Sequence, residues 1–360
     1  MTKYIKEKTA KSYNDLTKII QNETDKDLRE SFVFRGVENY SYPLIPSSLR
    51  KENNKINNYI GNDFIKPTSI LVKEAIEKGF VKKEEVPEWA VSVTISLDKN
   101  GKALTSENSK IYYNDNGLQL RKELYILLKF LNFADRSGLK VTDNYEVRSN
   151  INNYSTYTPD CWPEEKFIEV MSLAQHYGLP TQVLDWSYDF RSSLYFAVKD
   201  ILEGPSYSDG IIWALNYNLF DARNMDKHYP IFHQLRFYRP EYNRNPNLQA
   251  QKGLFTFIID DINNHSTESL EKRILGELNE NPKKGIEHWC DDKIPRIADI
   301  PISDDDILFY KIKIPKNEKP SFLKALYADG YSEEYLFPGY NGAIMAMENQ
   351  VKLEKLCDDI

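Results

Sequence analysis

Phe34-Arg35-Gly36 ends an apolar run (Ser31 to Phe34) with a guanidinium. A planar fork of donors at the end of a strand suits a phosphate or a carboxylate. Gly36 removes a side chain where a ligand or another backbone approaches closely. The structural alternative is an arginine that pairs with an acidic side chain to close a turn.

The second stretch is Ala174-Gln175-His176-Tyr177-Gly178-Leu179-Pro180-Thr181, followed by Val183-Leu184-Asp185-Trp186-Ser187. A helix ending in Gln-His-Tyr before a Gly/Pro turn aims several polar groups into one place. His176 donates, accepts or carries charge near neutral pH. Tyr177 falls on the apolar face of that helix and reads as core. Asp185 reads either as the N-cap of the next helix or, because Ser187 and Asp189 compete for that cap, as a partner for His176 or Arg35. Trp186 offers a stacking face or core volume.

The third stretch, Leu248 to Thr256, brings Gln251 into an apolar strand through Gly253. Before it, His233, Arg236, Phe237, Tyr238, Arg239, Tyr242 and Arg244 interleave cations with rings. That pattern suits single-stranded nucleic acid or a nucleotide, or else a solvated loop edge. There is no GxGxxG after a strand, no GxxxxGK[ST], no HExxH and no GxSxG, so nothing supports a dehydrogenase, P-loop, zincin or α/β-hydrolase reading.

These stretches need elements to hold them. Tyr13, Leu16, Ile19 and Ile20 suit a helix. Leu124, Leu127, Leu128 and Leu131 predict another over 120–135. Phe167, Val170, Met171, Ala174 and Tyr177 predict one over 164–177, opened by Pro163 and closed by Gly178. Residues 189–199 predict a third, and Ile70 to Lys78 a shorter one. GIIWAL (210–215), LFTFII (254–259), ILFYKIKI (307–314) and residues 90–96 read as β, and 98–101 and 114–117 as turns. Helices and strands mix without a βαβ rhythm, so the class is α+β.

With 41% hydrophobic and 28% charged residues, the 360-residue chain is globular. Its formal charge of −7 counts against coating nucleic acid. Aromatic residues reach 13%, which suits core filling or a pocket for a flat ligand. Cys161, Cys290 and Cys357 are scattered, with no metal-ligand spacing, which points to a reducing compartment and no disulfide framework. Without an apolar leader or spanning run, the expected location is cytoplasmic.

With these residues in hand, the chain resembles the FRG-domain family. The resemblance rests on FRG (34–36), YPLIPSSLR (42–50), the helix from Glu123 to Phe130, QHYGLPT–LDW (175–186), SLYFA (193–197), AQKGLF (250–255) and the run from Leu326 to Gly342. Gln182 stands where the family commonly has a basic residue, and Gly339-Tyr340-Asn341 replaces an acidic run. The expected organisation is a discontinuous domain, 1–50 and 118–350, with an insertion at 51–117 and a tail at 351–360.

The layout is in turn similar to the ADP-ribosyltransferase superfamily, which implies a mixed or antiparallel sheet core flanked by helices. On that similarity Arg35 would bind NAD phosphates or the adjacent ribose, and His176 a ribose hydroxyl. Tyr177 or Trp186 would stack on nicotinamide. Gln251 would stand where transferases often carry Glu, leaving Asp185 or Glu241 to supply negative charge. Arg35, His176, Asp185 and Gln251 are thus the implied catalytic set. Phe34, Gly36, Tyr177, Gly178, Trp186 and Ser187 would surround NAD as substrate, with no metal.

The expectation is an NAD-consuming, ADP-ribosyltransferase-like effector, a toxin or antiphage defence component. It would cleave the nicotinamide–ribose bond, transfer ADP-ribose to a target macromolecule and answer to a neutralising or sensing partner protein. One alternative is a non-catalytic nucleotide-binding sensor. The other is a nucleic-acid-processing enzyme that contacts RNA or DNA through Arg236, Arg239 and Arg244.

Overall fold

The computed structural model describes residues 3–22, 28–50, 55–60, 70–88, 90–95, 110–149, 161–204, 206–223, 234–242, 245–261, 266–280 and 306–358. The strands of the first half are β1 (Ile5–Thr9), β2 (Phe32–Val37), β3 (Ile70–Leu71), β4 (Ser92–Ile95), β5 (Lys110–Tyr113) and β6 (Cys161–Trp162). Those of the second half are β7 (Leu184–Ser187), β8 (Gly210–Asn216), β9 (Leu235–Tyr238), β10 (Gly253–Ile258), β11 (Asp260–Asp261) and β12 (Phe309–Ile314). The class is α+β, as the mixed pattern implied. The turn expected at 98–101 lies outside the described residues.

The chain divides into two compact units, one of residues 1–44, 184–256 and 269–360, the other of 45–183 and 257–268. This partition differs from a domain interrupted at 51–117: those residues share a unit with 118–183. Ile56 is buried, and Lys129 Nζ, on the long helix Asp115–Arg136, donates to the Tyr59 carbonyl at 3.1 Å. The expected turn at 114–117 is the start of that helix, where Asn114 Oδ1 accepts from the Gly117 N–H at 2.8 Å as an N-cap. Of the expected tail, residues 351–358 continue helix Tyr340–Asp358, and 359–360 lie outside the described residues.

In the first unit seven strands form a mixed sheet in the order β1-β12-β8-β2-β7-β10-β9. β1 runs parallel to β12. β12, β8, β2, β7 and β10 pair antiparallel in succession. β8 is buried at six of its seven positions, as a strand covered on both faces must be. Ile212 and Ala214 face a core completed by Leu16, Leu194, Phe322 and Leu353 from four helices. Alternation turns Trp213 the other way, where its ring packs edge-on to Phe309 at 6.0 Å.

Helix Phe190–Val198 lies directly on this sheet, and glycines make room for it. A β-carbon on Gly36 would lie 1.6 Å from the Ser193 carbonyl oxygen, and one on Gly210 would lie 2.4 Å from that of Ala197. The strand therefore runs through Gly36 to Val37, rather than ending there, and the glycine receives a helix backbone. Phe34 adds an edge-on ring contact to Phe190 at 6.3 Å. Burying Phe190, Leu194 and Val198 contributes roughly 1.5–3 kcal/mol per side chain.

The second unit is organised on helix Asp115–Arg136, whose Leu120, Leu124, Leu127, Leu128 and Leu131 are buried. Its buried Glu123 accepts from Trp162 Nε1 and Gln119 Nε2, at 2.9 and 2.8 Å. β3, β4 and β5 form a small antiparallel sheet, and β6 pairs with β11. Among the described residues no helix is long and apolar enough to cross a membrane.

The glycine seat predicts that Gly36→Ala destabilises the fold by about 3 kcal/mol, the upper end of ordinary overpacking, because backbone and not a flexible side chain must yield. Urea unfolding followed by circular dichroism measures it. A loss under about 1 kcal/mol would show that the helix does not rest on this glycine.

Candidate functional site

Arg35 belongs to β2, which is laddered to β8 through six residue pairs but to β7 through Phe34↔Ser187 alone. Where that second ladder gives out, the guanidinium takes over. Arg35 Nη1 donates to the Asp185 carbonyl oxygen at 2.8 Å and also pairs with the Asp185 carboxylate. The Arg35 side chain is 10% exposed and that of Asp185 51%. Asp185 is thus a strand residue and not a helix cap, the cap being Asp189.

Gln251 approaches from the end of the short helix Pro246–Ala250. Its Nε2 donates to the Leu336 carbonyl at 3.1 Å, and its own carbonyl accepts from Ser187 Oγ at 2.6 Å. Phe34, Arg35, Gly36, Asp185, Trp186, Ser187 and Gln251 all line one cleft. Three distant stretches of chain therefore meet, but on a cavity of about 30 Å³, room for roughly two waters. A cleft wide enough for a dinucleotide is not there. Glu241 is not among its lining residues.

Trp186 offers the cleft no open ring: it is 3% exposed, and its Nε1 donates to Thr256 Oγ1 at 2.8 Å. Indole and hydroxyl satisfy each other inside the β7–β10 pair. This is the core-volume alternative for that residue.

His176, Tyr177 and Gly178 lie in the second unit, at the end of helix Ile168–His176. Gly178 (φ +86°) stops that helix in a left-handed turn: its N–H donates to Gln175 and that of Leu179 to Ala174, both at 2.9 Å. Tyr177 is 71% exposed, so its expected core position is corrected. The helix ends one residue before it, and the turn carries the ring outward to an edge-on contact with His176 at 5.3 Å. Gln175 and Thr181 hold the turn together. Gln175 Oε1 accepts from Thr181 Oγ1 at 2.7 Å and Ser47 Oγ at 3.2 Å, while its Nε2 donates to the Val183 carbonyl at 3.3 Å.

Of the strip of cations and rings, Arg236, Phe237 and Tyr238 lie on β9, at the edge of the sheet. Phe237, on β9, packs edge-on against Tyr217 at 5.0 Å. Tyr242 donates its hydroxyl to the Gly253 carbonyl at 3.0 Å, under the Arg239 guanidinium. Those two rings are therefore spent on packing. His233 and Arg244 lie outside the described residues.

Asp189 does more than the sequence suggests. As N-cap of helix Phe190–Val198 its Oδ1 accepts from the Arg191 N–H at 3.1 Å. It also accepts from Arg191 Nε and Nη2, both at 3.0 Å, from Lys252 Nζ at 2.9 Å and from the Tyr331 hydroxyl at 2.6 Å. Burial pushes its pKa up, but the hydrogen bonds from Arg191, Tyr331 and Lys252 more than reverse this and hold it well below the usual carboxylate range. The Asp-x-Arg spacing was the signal available in the sequence, though a cap was explanation enough.

Residues 121–204 match the family model of the FRG domain. The match takes in most of helix Asp115–Arg136, QHYGLPT–LDW and SLYFA, and leaves out Arg35 and Gln251. No curated protein and no solved structure gives a significant match to the chain.

The Asp189 network predicts a pH-dependent variant. Its folded-state pKa is depressed, so its stabilisation is present above the unfolded carboxylate pKa of about 3.9 and is lost as pH falls below it. Asp189→Asn should cost about 3 kcal/mol at pH 7 by leaving two cations without their buried anion. The gap from wild type should narrow below about pH 4. Urea titrations from pH 3 to 7 measure it, and a gap that stays constant with pH would contradict the network.

Proposed function

We propose, from the premise that this chain carries an FRG domain, that it is a non-catalytic nucleotide-binding module in which Arg35 accepts a ligand phosphate in exchange for Asp185. The observation that carries this reading is the asymmetry of the pair, with Arg35 sheltered and Asp185 half open to water. A pair so exposed on one side is screened and contributes about 0–1 kcal/mol. A phosphate that meets the guanidinium with two oxygens competes well with it.

Gln251 hydrogen-bonds but supplies neither a base nor negative charge, and the one carboxylate lining the cleft is already paired with Arg35. With so little free volume the phosphate meets Arg35 at the mouth, and the rest of the nucleotide stays outside. Binding without turnover follows.

A second reading, the ADP-ribosyltransferase one, draws support from Asp185 itself. An oxocarbenium-like transition state needs nearby negative charge, and Asp185 stands beside Arg35 and Gln251. In that reading NAD displaces the pair, and Asp185 faces the ribose.

Calorimetry with NAD, ADP-ribose and ADP, run beside a chromatographic assay for nicotinamide, separates the two. The binding module predicts heat with at least one nucleotide, at least a tenfold loss in Arg35→Gln, and no nicotinamide. Nicotinamide release that disappears in Asp185→Asn would replace it with the transferase reading. Neither binding nor release would overturn both.

A further inference from the structure

We propose that Ser192 is a further ligand-binding residue of the Arg35 cleft, and that the group bound there is a terminal phosphate, such as that of ADP. This deepens the binding-module reading and rests on it. Ser192 is 1% exposed and lines the cleft, yet its Oγ has no hydrogen-bond partner among the described residues. A buried hydroxyl left unpaired opposes folding. Such a group therefore calls for an acceptor from outside the chain.

The polar side chains around Ser192 do not supply that acceptor. Asp189, the cap of helix Phe190–Val198, gives its carboxylate to Arg191, Lys252 and Tyr331. Ser187 Oγ is engaged with Asp189 and with the Gln251 carbonyl. Gln251 ends its own helix at the left-handed turn of Lys252 (φ +47°), and its Nε2 goes to the Leu336 carbonyl.

Arg35 is the other half of the site. Its side chain is 10% exposed, and only Nη1 is bonded, to the carbonyl and the carboxylate of Asp185. Nε and Nη2 have no hydrogen bond among the described residues. That edge of the guanidinium takes two oxygens of one phosphate side by side. A terminal phosphate then has a third free oxygen to place, whereas the phosphates inside NAD have only two each. The cleft holds about 30 Å³. This lets one oxygen reach inward while the phosphorus stays at the mouth. Ser192 Oγ donates to that oxygen, and the first turn of helix Phe190–Val198 adds the positive end of its dipole. Asp185 leaves as the phosphate arrives, so the charge on Arg35 stays balanced.

The full chain is titrated with ADP and NAD by calorimetry, as wild type, Ser192→Ala and Arg35→Gln. ADP should bind at least tenfold more tightly than NAD. Ser192→Ala should weaken ADP at least fivefold and leave any NAD binding unchanged, while Arg35→Gln weakens both. The hydroxyl removed has no partner in the protein, so the thermal midpoint of Ser192→Ala should not fall. Affinity lost without stability lost is the mark of a ligand contact. Equal affinity for ADP and NAD, ADP binding indifferent to Ser192→Ala, or a lower midpoint in that variant would each overturn this inference alone, provided Arg35→Gln still weakens binding. No nucleotide binding, or binding indifferent to Arg35→Gln, would overturn the binding-module reading with it.

Discussion

The carbonyl oxygens of Ser193 and Ala197 occupy the places where β-carbons on Gly36 and Gly210 would project. Helix Phe190–Val198 can come this close to the sheet only because two neighbouring strands, β2 and β8, both lack a side chain beneath it. Contact at that range admits little sliding, so the helix has one register on the sheet. Its first residue follows directly from β7 through Tyr188 and Asp189, so fixing the helix also fixes where β7 ends. The positions of Asp185 opposite Arg35, and of Asp189 beside Lys252, follow from that one close approach.

Much of what looked like chemistry in the sequence is then the cost of closing such a core without stranding polar groups. Gln175, Thr181 and Ser47 satisfy one another around a turn. Trp186 and Thr256 do the same between two strands, and Arg35 replaces ladder bonds that β2 and β7 do not form. A buried donor must find an acceptor whether or not a ligand is involved. A motif of Gln, His, Tyr, Thr and Trp therefore reads alike in both cases. Only the folded structure shows that Gln175, Thr181 and Trp186 already have acceptors within the protein.

Legibility in the sequence followed the strength of the local pattern. The helices over 120–135 and 164–177 and the strands at 210–215, 254–259 and 307–314 were readable, because a period of 3.6 or an unbroken apolar run persists in each. β1 (IKEKT) and β7 (LDWS) were not: each is four or five residues with polar side chains and takes its place in the sheet from partners distant in the chain. The division into units was not legible, because each unit joins segments that lie far apart in the chain. Asp189 was legible as a cap, but its hold on Lys252 spans 63 residues and depends on a backbone torsion that no spacing encodes.

The Arg35 cleft and a larger cavity of about 330 Å³ beside Asp189 and Lys252 share one piece of backbone. Ser187 Oγ donates to the Gln251 carbonyl at 2.6 Å, and the Tyr188 N–H donates to the Lys252 carbonyl at 3.1 Å. On this clamp, Asp185 and Gln251 face the Arg35 cleft while Asp189 and Lys252 face the larger cavity. Consecutive residues thus serve opposite sides of a paired turn, and the torsion at Lys252 cannot change without moving the peptide that carries Gln251. The Gln251 amide is itself tied to the Leu336 carbonyl. Strain at Lys252, the ion pairs of Asp189 and the closure of the Arg35 cleft are therefore one mechanical problem: whatever loosens Lys252 from Asp189 acts on a residue whose neighbour keeps the cleft shut.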